Sequence, residues 1–156
     1  MNTRAFWLST LIAGAAIAVF GNLPVLNLIN CALCVWVWLG GALSVALYRR
    51  FQGGRPVVSA GQGAGLGALS GLIGAVLGAG VFLLTSSLSV PLFNALARAL
   101  ELENDFYFQN GLLGNVGSAF IFLVIDAILY PLFGALGAMI AAAFTRGAET
   151  KVQTVS

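Results

Sequence analysis

The sequence predicts an all-α, polytopic membrane protein: four transmembrane helices, with one amphipathic interfacial helix between spans three and four. Three observations predict this fold class. Of the 156 residues, 60% are hydrophobic and only 8% are charged, whereas soluble domains carry about 25% charged residues. Long apolar stretches recur along the chain, and Arg residues gather in the segments between them. We therefore expect one membrane domain over residues 1–156, with the lipid bilayer as its main surroundings.

Composition also excludes several function classes. A net charge of +2 is too small to indicate a nucleic-acid partner. The chain has no histidine, which removes histidine-based catalysis and most zinc sites. Because no catalytic constellation is present either, we expect a protein that is not an enzyme and that needs neither a metal nor a cofactor.

The first two spans are expected at about residues 5–21 and 31–48. A signal peptide is the competing interpretation of the first, because Ala16-Ile17-Ala18 resembles a cleavage site; we expect a retained span. The second carries Trp36 and Trp38 near its start, where aromatic belts lie in membrane helices.

The third span, at about residues 61–84, holds a regular series of glycines that we call the glycine seam: Gly63, Gly67, Gly71, Gly74 and Gly78. On an α-helix these positions fall within an arc of roughly 80°. In lipid, such a glycine zipper lets another backbone approach closely, because helices there associate by van der Waals packing. Gly134 and Gly137 form a similar ridge in the last span.

Two further helices are expected after the seam. Apolar and polar residues of the segment at about 90–104 separate onto opposite helical faces, and Pro91 suits a first turn, so we expect an interfacial helix here. The fourth span, about 114–145, would be roughly 48 Å long, more than a hydrocarbon core of about 30 Å. We expect it to tilt or to bend at Pro131.

The distribution of basic residues predicts the orientation. With four spans, six of the seven Lys and Arg residues fall on one side, and only Arg98 falls on the other. The positive-inside rule then places both termini in the cytoplasm. The Arg49, Arg50 and Arg55 loop is expected mainly to fix this topology, although it would also attract anionic lipids.

Asp126 is the one acidic residue inside a span, and Asn115 and Tyr130 share its helical stripe. A carboxyl group at this depth is costly. One interpretation is a proton or cation site. Another is a polar clasp, in which Asp126 bonds to Tyr130, an Asn, a backbone carbonyl or a second copy of itself. A third is access to water without a functional role.

Cys31 and Cys34 form a Cys-x-x-Cys pair at the start of the second span. The spacing allows a disulfide, a redox pair or half of a shared metal site. Without histidine or a second pair the signal is weak, and small apolar packing residues are the simpler interpretation.

The segments Asn30-Cys31-Ala32-Leu33-Cys34, Gly40-Gly41-Ala42, Tyr48-Arg49-Arg50 and Ser59-Ala60-Gly61-Gln62-Gly63 together resemble a pattern in uncharacterised small prokaryotic four-span membrane proteins. Phe133-Gly134-Ala135-Leu136-Gly137 is similar to their closing span. The resemblance implies four spans and a prokaryotic cytoplasmic (inner) membrane, and it implies no activity.

The leading functional hypothesis is therefore a non-enzymatic membrane subunit that packs through its Gly/Ala-rich helix faces into a homo-oligomer or a larger membrane complex. Its partners would be other membrane helices. The alternative is a small channel or carrier with Asp126 as its proton or cation site. A membrane redox protein using Cys31 and Cys34 ranks third.

Overall fold

A computed structural model describes residues 2–22, 34–54, 57–99 and 112–153. This part of the chain is helical and contains no strand, which confirms the all-α class. The four helices, in chain order, are α1 (Thr3–Asn22), α2 (Val35–Phe51), α3 (Ala60–Ala99) and α4 (Leu112–Gln153).

Three of these helices contain a segment that is long and apolar enough to cross a membrane: Thr3–Asn22, Ala60–Thr85 and Val116–Thr145. They correspond to the first, third and fourth expected spans, and they support a membrane protein. The helix in the place of the second expected span, α2, has 17 residues. Its length is thus about 25 Å, and residues 31–33 of that expected span lie outside the described part.

The expected break after the third span is not found. Helix α3 runs for 40 residues without interruption and includes Pro91, so residues 90–99 continue the same helix and do not form a separate interfacial helix there. Residues 100–104 lie outside the described part. The Thr85 hydroxyl, at the point where a helix end was expected, donates to the carbonyl of Val81 at 2.9 Å. A hydroxyl that bonds within its own helix is compatible with helix continuation.

The helices form a ring in the order α1, α2, α4, α3, and α2 also contacts α3 across its centre. Within the described residues, α1 and α4 do not contact each other. Helices α1 and α2 run antiparallel, with Phe20 stacked on Trp36 at a centroid distance of 5.6 Å. The end of α2 lies beside the second half of α4, so these two helices run parallel. Successive helices therefore alternate in direction, as in an up-and-down bundle.

Two apolar clusters fill the ring. One joins the start of α1, the end of α2, the start of α3 and the second half of α4: Ala5, Val45, Tyr48, Val58, Leu66, Ala138 and Ala142. The other, which we call the deeper cluster, lies nearer the end of α1 and the start of α2: Ile17, Val37, Ala75 and Tyr130. The first cluster therefore brings the start of α1 and the second half of α4 to the same end of the bundle, where Arg49 and Arg50 close α2.

Candidate functional site

The first three glycines of the seam face α4. A Cβ atom added to Gly63 would lie 3.0 Å from the carbonyl oxygen of Ala138. One added to Gly67 would overlap the carbonyl of Gly134, and one added to Gly71 would overlap the backbone of Tyr130. Here α3 and α4 therefore pack backbone against backbone, which bulkier residues would prevent.

The last two seam glycines face α1 instead. A Cβ atom on Gly74 would lie 2.7 Å from Cγ2 of Ile17. On Gly78 it would lie 2.7 Å from Nδ2 of Asn22, which donates to the Ala18 carbonyl at 2.9 Å. One glycine face of α3 is thus shared by two neighbouring helices.

The glycines of α4 connect this interface to α2. Gly134 is the crossing point, because Cβ atoms on Gly41 and on Gly67 would both overlap its carbonyl. A Cβ atom on Gly137 would lie 2.8 Å from Cα of Trp38. Helix α4 therefore meets α3 and α2 through bare main chain at adjacent positions.

The seven glycines predicted for helix packing are all covered by helices of the same chain. The close contacts of these seven glycines are therefore made within the bundle. Open space is found beyond other glycines: within 4 Å of an added Cβ atom there is no other group at Gly61, Gly65, Gly80 or Gly117. Spare small-residue surface therefore lies on the outside of α3 and near the start of α4.

Sequence reasoning missed the side chain that joins α1 to two other helices. Ile17 is 1% exposed, and its branches occupy the space that Cβ atoms on Gly40 and Gly74 would need. The available signal for this contact was a branched residue that lies between the small residues Gly14 and Ala18 in the sequence. It acts as a knob, with one glycine hole on α2 and one on α3.

The fully buried serine and threonine hydroxyl groups among the described residues form hydrogen bonds within their own helices. Ser9, Thr10, Ser44 and Ser70 are fully buried. Each donates to a carbonyl of its own helix, for example Ser44 to Gly41 at 2.7 Å and Ser70 to Gly67 at 3.0 Å. They therefore satisfy their hydrogen-bonding needs without a bound ligand.

Asp126 and Tyr130 lie one turn apart on α4. The Tyr130 hydroxyl donates a hydrogen bond to the partly buried Asp126 carboxyl, and Tyr130 packs in the deeper apolar cluster. Asn115 lies in the first turn of α4, but its side chain is outside the described part. Of the three polar positions, Asp126 and Tyr130 are therefore joined by a hydrogen bond within one helix.

Of the Cys-x-x-Cys pair, Cys31 lies outside the described residues. Cys34 precedes α2 with a left-handed φ of 49°. Its carbonyl accepts hydrogen bonds from the N–H groups of Val37 and Trp38 at 2.9 and 3.1 Å, and its side chain packs on the deeper cluster. In the described ranges no group of three or more acidic, Cys or His residues is placed to hold a metal.

Comparison of the chain with protein-family models, with curated proteins and with solved structures gives no match. The resemblance to small prokaryotic four-span membrane proteins therefore stays a prediction, and the functional conclusion depends on the geometry of the bundle.

Proposed function

We propose that this chain is a non-enzymatic integral membrane subunit that packs through small-residue helix surfaces into a homo-oligomer or a larger membrane complex. The observation that carries the proposal is the pair Gly61 and Gly65. These residues lie one turn apart on α3, both are exposed, and open space lies beyond each missing Cβ atom. Each glycine costs about 1 kcal/mol of helix stability relative to alanine, and close approach of another helix offsets that cost in lipid.

The outer surface of α4 fits the same proposal. Phe120, Ile128 and Phe144 are 65%, 67% and 75% exposed, so this helix presents large apolar side chains outward. Such a surface is compatible with acyl chains or with another apolar helix, and not with water.

The proposed setting is the cytoplasmic (inner) membrane of a prokaryote, crossed four times. The start of α1, which carries Arg4, lies at the same end of the bundle as the last turn of α2, which carries Arg49 and Arg50. The positive-inside rule makes this the cytoplasmic end, with both termini on that side.

Self-association is tested by the mass of the assembly after extraction into a mild detergent or nanodiscs. We expect an oligomer, or a stable complex with another membrane protein, in the wild type. Replacing Gly61 and Gly65 together by isoleucine should shift the protein to the monomer, because the β-branched side chains fill the space that the partner helix needs.

The matched control is Gly80→Ile, at an exposed glycine of the same helix that also has open space beside it. It should leave the assembly unchanged. A wild type that is strictly monomeric and partner-free in nanodiscs, or an equal effect of both variants, would contradict the proposal.

The alternative is a small channel or carrier that uses Asp126 as a proton or cation site. The observation that favours it is a carboxyl group inside the candidate span Val116–Thr145, with a Tyr130 hydroxyl bonded to it. Ion pathways in membranes use such intramembrane acids. Against it, each fully buried hydroxyl among the described residues is already bonded to its own helix.

Asp126→Asn separates the two functions, because the amide keeps the size and accepts the Tyr130 hydrogen bond but cannot bind and release a proton. We expect the variant to retain the wild-type assembly mass, and both proteins to give liposomes no more proton flux than empty vesicles show with a pH-sensitive dye. Flux in the wild type that disappears in Asp126→Asn would establish the carrier instead.

A further inference from the structure

An open groove lies between the end of α2 and the second half of α4. Its volume is about 540 Å³, within the range of about 300–1,000 Å³ that is usual for small-molecule sites. Arg49 and Arg50 line its mouth, and below them its wall is formed by Ala42, Ala46 and Ala141. We call this feature the end groove.

A tight turn holds the two arginines at the mouth. The N–H of Gly54 donates to the Arg49 carbonyl at 2.8 Å, and the N–H of Gly53 donates to the Arg50 carbonyl at 3.2 Å. With Gly53 at a φ of 74°, this is the Schellman arrangement that ends many helices. The Arg49 guanidinium also donates, through Nη2, to the carbonyl of Gly54 at 3.3 Å, which places it beside the turn.

The lining of the end groove is divided into a cationic part and an apolar part. Among the described residues that line it there are two guanidinium groups and no carboxylate. The small alanine side chains lie along the apolar part of the groove. A phosphate group above an alkyl chain has the same division of charge and apolarity, and guanidinium groups bind phosphate well.

We propose that the end groove binds an anionic phospholipid, with the lipid phosphate at Arg49 and Arg50 and the first part of an acyl chain along the alanine wall between α2 and α4. Basic pockets between membrane helices are known to hold anionic headgroups. A soluble phosphate would use the arginines only and would leave the apolar wall uncovered. The proposal does not depend on self-association.

The test is native mass spectrometry of the detergent-purified full chain titrated with phosphatidylglycerol or with zwitterionic phosphatidylcholine. We expect phosphatidylglycerol to bind more tightly. The double variant Arg49→Gln/Arg50→Gln should bind it about twenty-fivefold more weakly, at about fivefold for each cation. The control is Arg4→Gln, an exposed arginine on α1 that does not line the groove; it should bind like the wild type.

A second variant tests the apolar part without changing charge or the turn. Ala141→Phe fills the wall of the end groove and should weaken phosphatidylglycerol binding at least fivefold, while both arginines stay in place. If only the arginine variant weakens binding, the attraction is general surface electrostatics and the proposed site is overturned.

Two further outcomes would overturn it. Inorganic phosphate that displaces phosphatidylglycerol at concentrations comparable to those of the lipid would show a headgroup-only anion site. A cross-link between residue 46 of two copies, introduced as Ala46→Cys in a Cys31→Ala/Cys34→Ala background, would show that a second chain and not a lipid covers the groove.

Discussion

Replacing Gly67 by alanine is expected to destabilise the bundle by about 3 kcal/mol, at the upper end of the usual range for overpacking. The added Cβ atom would overlap the Gly134 carbonyl and lie 2.6 Å from Cβ of Ala138. The obstructing group is main chain on α4, which cannot rotate away as a side chain can. Relief requires α3 and α4 to separate, and this would also remove the neighbouring contacts of Gly63 and Gly71.

The same helix supplies a matched control at an exposed glycine outside the proposed interface. At Gly80 an added Cβ atom meets no other group within 4 Å, and alanine is the better helix former by about 1 kcal/mol. Gly80→Ala should therefore leave the melting temperature unchanged or raise it. Gly67→Ala should lower it by roughly 6–12 °C for a chain of this size.

Fluorescence-detected size-exclusion chromatography after heating in detergent measures both variants in one series. Gly134→Ala should behave like Gly67→Ala, because its Cβ atom would overlap the Gly67 carbonyl from the other side. Equal melting temperatures for Gly80→Ala and Gly67→Ala would show that α3 and α4 are not packed backbone to backbone.

The sequence was sufficient for the helical class and for three helices long and apolar enough to cross a membrane, because long apolar runs have few alternatives in lipid. Glycine spacing also placed five residues on one face of α3. It did not reveal that α4 covers Gly63 and Gly67 while α1 covers Gly74. The identity of the neighbour depends on how helices cross, and a periodic pattern on one helix carries no information about that.

The sequence analysis did not predict two other features, the full length of α3 and the end groove. The apolar run predicts an end of the third span near residue 84, yet α3 continues to Ala99, and the Thr85 hydroxyl bonds to the Val81 carbonyl within the helix. The end groove was not expected either. Its turn was readable in part, since two arginines followed by Gly53 and Gly54 match a helix C-terminus, but the space beside the turn depends on where α4 passes.

Ile17→Ala is expected to have the second largest effect on stability, about 2 kcal/mol or more, the lower end for Ile-to-Ala changes in packed interiors. Ile17 is 1% exposed, and it lies against Gly40 on α2 and Gly74 on α3. Glycine has no side chain that could rearrange to fill the space left behind, and no water is available in the hydrocarbon core to fill it. The lost dispersion contacts are therefore not replaced.

Ile12→Ala, on the same helix, separates this packing loss from a general effect of shortening an apolar side chain. Ile12 is 46% exposed, so acyl chains occupy the space after truncation and the melting temperature should change little. For Ile17→Ala the expected decrease is about 4–8 °C, and Ile17→Val should fall between alanine and the wild type. If Ile12→Ala and Ile17→Ala lose equal stability, the side chain of Ile17 does not fill the glycine holes of α2 and α3, and α1 is held to the bundle by some other surface.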